Sequence, residues 1–210
     1  SGYPSEAGVR SLERKIGECM RKTVLLMAKD EDVTKVRITE KNLAEFLGPV
    51  KRQKEKKNQR DAVGIVRGLA VTSAGGDTLS IEINTMPGKG NIELTGQLGD
   101  VMKESARTAI SYVRSVASDY KVADDYFEKH DLHLHIPEGA VPKDGPSAGI
   151  ALSTAVLSAV TGKKIRADLA MTGEVTLRGR VLPIGGVKEK LLAAKMAGIT
   201  LVLVPKKNES

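Results

Sequence analysis

The stretch PKDGPSAGIAL at residues 142–152 presents a serine at the point where a stiff loop enters an apolar helix. Gly145 and Pro146 favour a sharp turn, and Gly149 leaves room for the backbone of another segment to approach. Unpaired amide groups at a helix start stabilise negative charge, so Ser147 suits a nucleophile with an oxyanion site beside it. Serine is also a favoured helix N-cap, and simple capping by Ser147 is the alternative interpretation.

A serine hydroxyl becomes a useful nucleophile only when a base accepts its proton. Three histidines precede the serine, His130, His133 and His135, and Asp131 or Asp144 could complete a triad in an unusual chain order. The alternation of His133 and His135 also fits one face of a strand, where each would make ordinary hydrogen bonds. Two alternating histidines suit a metal as well, but no third cluster of ligands occurs nearby in the sequence, so we predict no metal site.

A second candidate base lies in GGVKEKLLAA, residues 185–194. At about 100° per residue, Lys190 shares one helical side with Val187, Leu191 and Ala194, and this side is predicted to face the core. Burial disfavours the ammonium form and lowers a lysine pKa, which brings the neutral amine into range as a base. The alternative is that the stem of the side chain packs while its amine stays in water.

Around these motifs, apolar periodicity predicts a mixture of strands and helices. Two strands, 62–72 and 78–86, flank a turn-forming cluster at 73–77 and should form a hairpin. The other predicted strands are 91–95, 132–136, 170–176, 180–182 and 200–204, and the predicted helices are 100–120, one from the Ser147 loop to 161, and 187–197. Early hairpins followed by β-α-β units predict an α+β fold with a mixed sheet, which we assign to residues 62–210.

The pattern of apolar residues predicts a small helical segment over residues 1–50. Apolar residues at helical spacing form one stripe on a helix over 6–29: Val9, Leu12, Ile16, Met20, Val24 and Met27. A strand at 35–38, an N-cap at Thr39 and a helix over 40–47 should follow. Because these elements make a poor core alone, residues 1–50 are interpreted as the tail of a helical domain, and the chain as a fragment of a longer polypeptide.

Composition and charge indicate which partners and which compartment to expect. Lys and Arg outnumber Asp and Glu by 33 to 26, giving a net charge of +7, and much of the excess lies in 51–61, a predicted basic linker. Such a linker is either simply solvated or able to contact nucleic acid. Aromatic residues make up 3% of the chain and Trp is absent, which disfavours binding by base stacking. The single cysteine fits a reducing compartment, and the longest apolar run, 150–160, is too short to span a membrane.

Both motifs resemble those of the Lon proteases: PKDGPSAG at 142–149 is similar to the nucleophile motif of the family, and GGVKEK at 185–190 to its lysine motif. The resemblance extends over nearly the whole chain. It includes PGKG at 87–90, LTG at 94–96, VMKES at 101–105, MTGEVTLRG at 171–179 and, at the other end, EAGVRSLER at 6–14, which resembles the closing helix of the Lon ATPase module.

This resemblance implies a Lon-type proteolytic domain at 62–210, behind the C-terminal part of an AAA+ small helical subdomain at 1–50. It implies a Ser147–Lys190 dyad that hydrolyses peptide bonds in unfolded or damaged proteins, with Thr172 hydrogen-bonded to the lysine. His133, His135 and Asp144 would shape the site, and Arg10 would sense ATP in the complete protein.

The resemblance also implies a homo-hexameric ring in the bacterial cytoplasm or, alternatively, in the mitochondrial matrix. ATP and Mg would act only in the full-length protein, because no phosphate-binding loop motif occurs in this sequence and no cofactor is expected here. Lon domains normally continue with a helix beyond the strand that ends at Val204. The competing hypothesis is a binding module without catalysis that contacts nucleic acid through the basic linker.

Overall fold

The computed structural model describes residues 9–30, 32–49, 58, 60–72, 75–137 and 143–209. The chain divides into two compact units, Ser1–Glu55 with Ser73–Gly75, and Lys56–Thr72 with Gly76–Ser210. Most of the predicted basic linker and the first residue of the nucleophile motif, Pro142, lie outside the described residues.

The first unit contains the helices α1 (Arg10–Lys29) and α2 (Leu43–Leu47). Cys19 of α1 and Phe46 of α2 are buried, and the Lys22 amine donates a hydrogen bond to the carbonyl of Phe46. The predicted apolar stripe lies on the helix, but its residues are between 37% and 71% exposed: Val9, Leu12, Ile16, Met20, Val24 and Met27. Within the described part of this unit, the stripe therefore remains uncovered.

Two predictions in this unit are wrong. Residues 35–38 form no strand, and α2 begins at Leu43, three residues after the predicted start. The side chain of Asn42 explains the delay, because its Oδ1 accepts hydrogen bonds from both the amide and the hydroxyl of Thr39, and its Nδ2 donates to the carbonyl of Arg37. Such local hydrogen bonds compete with the first helical turn.

The second unit carries the remaining helices and the strands, except for Gly75, the first residue of β2, which is grouped with the first unit. Its strands are β1 (Ile65–Thr72), β2 (Gly75–Pro87), β3 (Ile92–Thr95), β4 (His130–His135), β5 (Leu169–Met171), β6 (Glu174–Val175), β7 (Val181–Leu182) and β8 (Leu201–Leu203). Its α-helices are α3 (Asp100–Val116), α4 (Tyr126–Lys129), α5 (Gly149–Thr161) and α6 (Val187–Met196). Short 3-10 turns follow α3 at Ala117–Tyr120, precede α5 at Pro146–Ala148 and follow β8 at Lys206–Asn208.

Six strands form one mixed sheet in the order β3-β4-β2-β1-β5-β8, and β6 and β7 form a separate antiparallel pair. β4 pairs antiparallel with β2 and parallel with β3, whereas β5 pairs parallel with both β1 and β8. The connection from β5 through α6 to β8 is a β-α-β unit. The predicted α+β fold with a mixed sheet is therefore confirmed.

Two apolar clusters position the helices on this sheet. The larger cluster packs α3 and α5 against the sheet, and α5 is buried over most of its circumference because it consists almost entirely of apolar and small residues. The smaller cluster joins Leu69 and Ala170 of the sheet to Ala194 of α6 and to Ile199. The small side chain of Ala194 allows α6 to lie close to β1 and β5.

Several element boundaries differ from the prediction. The predicted strand 170–176 is two strands, since Thr172 and Gly173 connect β5 to β6 without belonging to either. Gly75 and Gly76, predicted as turn residues, already belong to β2, and the short helix α4 was not predicted. No helix in the described ranges is both long enough and apolar enough to cross a membrane.

Candidate active site

Ser147 lies in the 3-10 turn Pro146–Ala148, which leads directly into α5. The turn follows Gly145, whose φ of 114° lies in a region that side chains disfavour. Ser147 caps neither helical segment, because the N-cap positions are Gly145 and Ala148 and neither makes a side-chain capping bond. Simple capping, the alternative role for this serine, is therefore wrong.

Another backbone does approach the helix start at Gly149, as predicted. A Cβ on Gly149 would lie 2.6 Å from the Val175 nitrogen, so only glycine fits there. The Gly173 amide donates to the Ser147 carbonyl at 2.8 Å, and the Ile150 amide donates to the Gly173 carbonyl at 2.9 Å. The connector between β5 and β6 thus holds the backbone of the nucleophile turn.

These contacts correct the prediction that the amides at the helix start are unpaired. The Ile150 amide is engaged by Gly173, and the Gly149 amide donates to the Pro146 carbonyl. Neither amide is free to bind an oxyanion, so any such donor must come from elsewhere in the turn or its surroundings.

Lys190 lies in the first half of α6 and is 3% exposed. Its amine donates a hydrogen bond to Thr172 Oγ1 at 3.1 Å, and burial lowers the pKa of Lys190. This burial contradicts the alternative prediction that the stem of Lys190 packs while its amine stays in water. The helical side predicted to face the core is right for Lys190 and Ala194 and wrong for Leu191, which is 42% exposed.

Thr172 connects the two motifs. Its buried hydroxyl accepts the hydrogen bond from Lys190 and donates one to the Ser147 carbonyl oxygen at 3.1 Å. Because one hydroxyl serves both partners, Thr172 fixes the Lys190 amine relative to the backbone of Ser147.

Ser147 and Lys190 line one cleft of about 400 Å³. Its apolar wall comes from β1, β2, α3 and the loop before α6: Leu69, Val71, Leu79, Met102 and Ile184. Asp144 and Glu174 add two carboxylates to the lining. Among the described residues, no hydrogen bond joins the Ser147 hydroxyl to the Lys190 amine, whose bonding partner is Thr172.

The histidines lie elsewhere. Thr95 Oγ1 is 2.9 Å from His133 Nε2 and 2.7 Å from His135 Nδ1, and His133 Nδ1 is 3.6 Å from Glu93 Oε2. These side chains join β3 to β4, and none of the three described histidines lines the cleft. His130 instead stacks on the ring of Tyr126. A role for His133 and His135 in shaping the site stays a prediction.

Asp131 and Asp144, the two aspartates considered for a triad, both accept hydrogen bonds from backbone amides. Asp131 accepts hydrogen bonds from the amides of Asn91 and Lys89, which lower the pKa of its carboxyl group. Asp144 lines the cleft, and its Oδ1 accepts the amide hydrogen of Met102 in the first turn of α3 at 2.9 Å. The described part of the chain contains no group of three or more His, Cys, Asp or Glu arranged to hold a metal ion.

Most residues of the cleft wall were not predicted from the sequence. Met102 carried a detectable signal, because it lies on the apolar face of α3, but periodicity could not show that this face reaches the nucleophile loop. Glu174 followed Thr172 and Gly173 in the sequence without any pattern that points to a cleft. Arg10 begins α1 in the first unit and is exposed, and its role in ATP sensing stays a prediction.

Comparison with known proteins identifies the family. Residues 37–210 match the Lon protease (S16) C-terminal proteolytic domain, and residues 1–36 match the Lon protease AAA+ ATPase lid domain. The chain is 52% identical to Lon protease of Lachnoclostridium phytofermentans, 53% to Lon protease 1 of Bacillus subtilis and 55% to Lon protease 2 of Desulfotalea psychrophila. Each match covers 98–99% of this chain but only 27–30% of the relative. The chain therefore belongs to the Lon protease family and carries its proteolytic domain.

Proposed function

We propose that this chain is a serine endopeptidase in which Lys190 is the general base for Ser147. The observation that carries the proposal is the buried Lys190 amine, held by Thr172 in the cleft that Ser147 also lines. Burial lowers the pKa of Lys190, so a larger fraction of the amine is neutral near physiological pH than in an exposed lysine. A neutral amine is what a serine hydroxyl needs as a proton acceptor.

The proposed reaction has two halves. Ser147 Oγ attacks the substrate carbonyl while the Lys190 amine takes its proton, and the resulting ammonium returns that proton to the leaving amine as the peptide bond breaks. Water then attacks the serine ester, again with Lys190 as base, which releases the acid and restores the hydroxyl. Thr172 keeps the amine oriented throughout, because its hydroxyl accepts from Lys190 in the resting arrangement.

The hydroxyl and the amine must come within about 2.6–3.2 Å for proton transfer. They share no hydrogen bond in this structure, and catalytic contacts are commonly longer without substrate than with it. We propose that a bound peptide completes the contact. The apolar wall of the cleft suits an uncharged side chain of an extended substrate, which favours unfolded polypeptides as substrates.

Cleavage of casein or of a fluorogenic peptide by two variants tests this proposal. Lys190→Ala should lose about 10²–10⁴-fold in kcat, because that is the typical contribution of a general base. The double variant His133→Ala/His135→Ala should keep most of its activity. In the unaltered chain, the rate should rise with pH as Lys190 loses its proton, with a midpoint below the value of about 10.4 for a free lysine.

An unchanged rate in Lys190→Ala would refute the dyad. A selective loss in the histidine variant would instead favour a triad based on His133 or His135. Far-UV circular dichroism of each variant controls for loss of the fold.

Assembly, cofactors and location are proposals from the family. We propose that the chain acts in a homo-hexameric ring, and that ATP and Mg are used only by the rest of the full-length protein. The relatives named above are bacterial, which favours the bacterial cytoplasm over the mitochondrial matrix. Contact with nucleic acid through the basic linker would show as an affinity that falls steeply with salt, and a flat response would exclude it.

A further inference from the structure

Gly76 in β2 lies directly against the backbone of α6. A Cβ on Gly76 would lie 2.0 Å from the carbonyl oxygen of Glu189, 2.5 Å from its carbonyl carbon and 3.1 Å from the Cβ of Ala193. Glu189 immediately precedes Lys190 in the helix. Since the obstructing atoms are backbone, they cannot rotate aside as the end of a long side chain would.

Glycine is required at position 76 because there is no room for a Cβ atom, and not because of its backbone conformation. Gly76 has no positive φ in the left-handed range, so an alanine there would meet no conformational strain of its own. To accommodate its methyl group, the backbones of β2 and α6 would have to move apart. The missing side chain of Gly76 is thus one of the features that let α6 lie close to the sheet.

A second close contact holds the other end of the same helical turn. Gly186 is the N-cap of α6, and a Cβ on it would lie 2.5 Å from Val71 Cγ2 of β1. Strands β1 and β2 therefore contact α6 on both sides of Lys190 along the chain. Ala193 and Ala194, both buried, complete the close packing with side chains that are no larger than methyl groups.

From these contacts we infer that Gly76 is a positioning residue for the general base. By letting α6 lie close to the sheet, Gly76 keeps the Lys190 amine out of water and within hydrogen-bonding distance of Thr172. The inference rests on the proposed function of Lys190, and it assigns to β2 a part in catalysis that is distinct from lining the cleft.

Gly76→Ala should lower kcat and change its dependence on pH. A displacement of about 1 Å at a catalytic group costs up to about 100-fold, so we expect a loss of roughly 10- to 100-fold at neutral pH. Because α6 would move outward, Lys190 would become more hydrated and its pKa would rise toward the ordinary value. The acidic limb of the kcat profile should therefore shift to higher pH, and activity should partly recover in alkaline buffer.

Gly68→Ala is the matched control. Gly68 is also a strand glycine, but a Cβ there would lie at ordinary contact distances of 3.4 Å from Ile81 Cδ1 and 3.7 Å from Ala151 Cβ. This variant should keep the pH profile of the unaltered chain. Ala193→Val approaches the Gly76 contact from the helix side and should shift the profile in the same direction as Gly76→Ala, which keeps the test available should Gly76→Ala not fold.

The measurements distinguish failure of the positioning role of Gly76 from failure of the proposed dyad. An unchanged rate in Gly76→Ala, or a loss of rate with no shift in the pH profile, would overturn the inference. Far-UV circular dichroism at each pH identifies any loss of rate that comes from unfolding instead. Lys190→Ala measured in parallel tests the proposed function itself. Its inactivity combined with an unshifted Gly76→Ala profile would leave the dyad intact and remove only the positioning role.

Discussion

At the scale of single residues, the hydroxyl of Thr172 has two roles that no other described side chain combines. It accepts a hydrogen bond from the Lys190 amine and donates one to the carbonyl of Ser147. Both bonds are sheltered from water because Thr172 is buried. A buried donor that loses its acceptor is costly, so the contribution of this hydroxyl can be measured by removing it alone.

Thr172→Val removes the hydroxyl and keeps the shape of the side chain. The Lys190 amine would lose its acceptor, at a cost of about 1–3 kcal/mol, so we expect kcat for a fluorogenic peptide to fall by roughly 5- to 150-fold. Thr172→Ser retains the hydroxyl and should retain most of the rate. Equal rates for the valine variant and the unaltered chain would show that the hydroxyl does not orient the base.

The sequence predicts these residues unevenly. Helical spacing places Lys190 on the predicted core-facing side of its helix, because side-chain directions within one helix follow from the spacing alone, but it leaves open whether the amine itself is buried. It fails for Leu191, since the width of the covered face depends on how closely β1 and β5 approach, which no local pattern records. The contact between Thr172 and Lys190 is long-range, and only the resemblance to the Lon family indicated it.

At the scale of elements, Asp144 ties the nucleophile loop to α3. It belongs to the loop that precedes Ser147, yet its carboxylate accepts the amide hydrogen of Met102, the third residue of α3. The first turn of α3 has no side-chain cap from its own N-cap residue, Gly99. The cap is therefore supplied across the fold, and it joins the start of α3 to the active-site loop.

Asp144→Ala should lower both stability and activity. Loss of a helix cap costs about 1 kcal/mol, which corresponds to a fall in Tm of roughly 2–4 °C for a domain of this size. Peptide hydrolysis should fall as well, because the loop that carries Ser147 loses an anchor. Asp144→Asn, which can still accept the Met102 amide hydrogen, is the control, and a Tm loss as large in Asn as in Ala would contradict capping.

Most elements of the proteolytic domain could be predicted because their apolar periodicity is strong. The errors occur where a local contact outweighs that periodicity. The predicted strand 170–176 is interrupted at Thr172 and Gly173. The Thr172 amide still donates to the Leu203 carbonyl of β8, but the Thr172 hydroxyl and the Gly173 amide both donate to the Ser147 carbonyl. Gly75 and Gly76 have the composition of a turn but continue β2, and Gly76 is a glycine because the backbone of α6 leaves no room for a side chain there.

At the scale of the whole molecule, the relatives of this chain are much longer than the chain itself. It spans less than a third of each relative described above. Its two ends match different modules of the family, the ATPase lid domain over 1–36 and the proteolytic domain over 37–210. The predicted boundaries at residues 50 and 61 stay predictions.

Peptide hydrolysis by this chain should not respond to nucleotide. The sequence has no phosphate-binding loop, so adding ATP with Mg²⁺ should leave the cleavage rate of a fluorogenic peptide unchanged. Mg²⁺ without ATP is the control for an effect of the ion on the assay. A stimulation that requires ATP and is absent with Mg²⁺ alone would show that the chain binds nucleotide by another route.

The unequal number of contacts around Ser147 and Lys190 has a consequence for how the proposed dyad would form. The carbonyl of Ser147 is fixed by Thr172 and Gly173, and the Ile150 amide secures the same connector from the helix start. Within the described residues, by contrast, the Lys190 amine makes a single hydrogen bond. Apart from rotation of its hydroxyl, the serine is the stationary partner. The amine is the more adjustable of the two groups, so the proposed dyad would be completed by a small shift of the Lys190 side chain toward the Ser147 hydroxyl, with its bond to Thr172 kept.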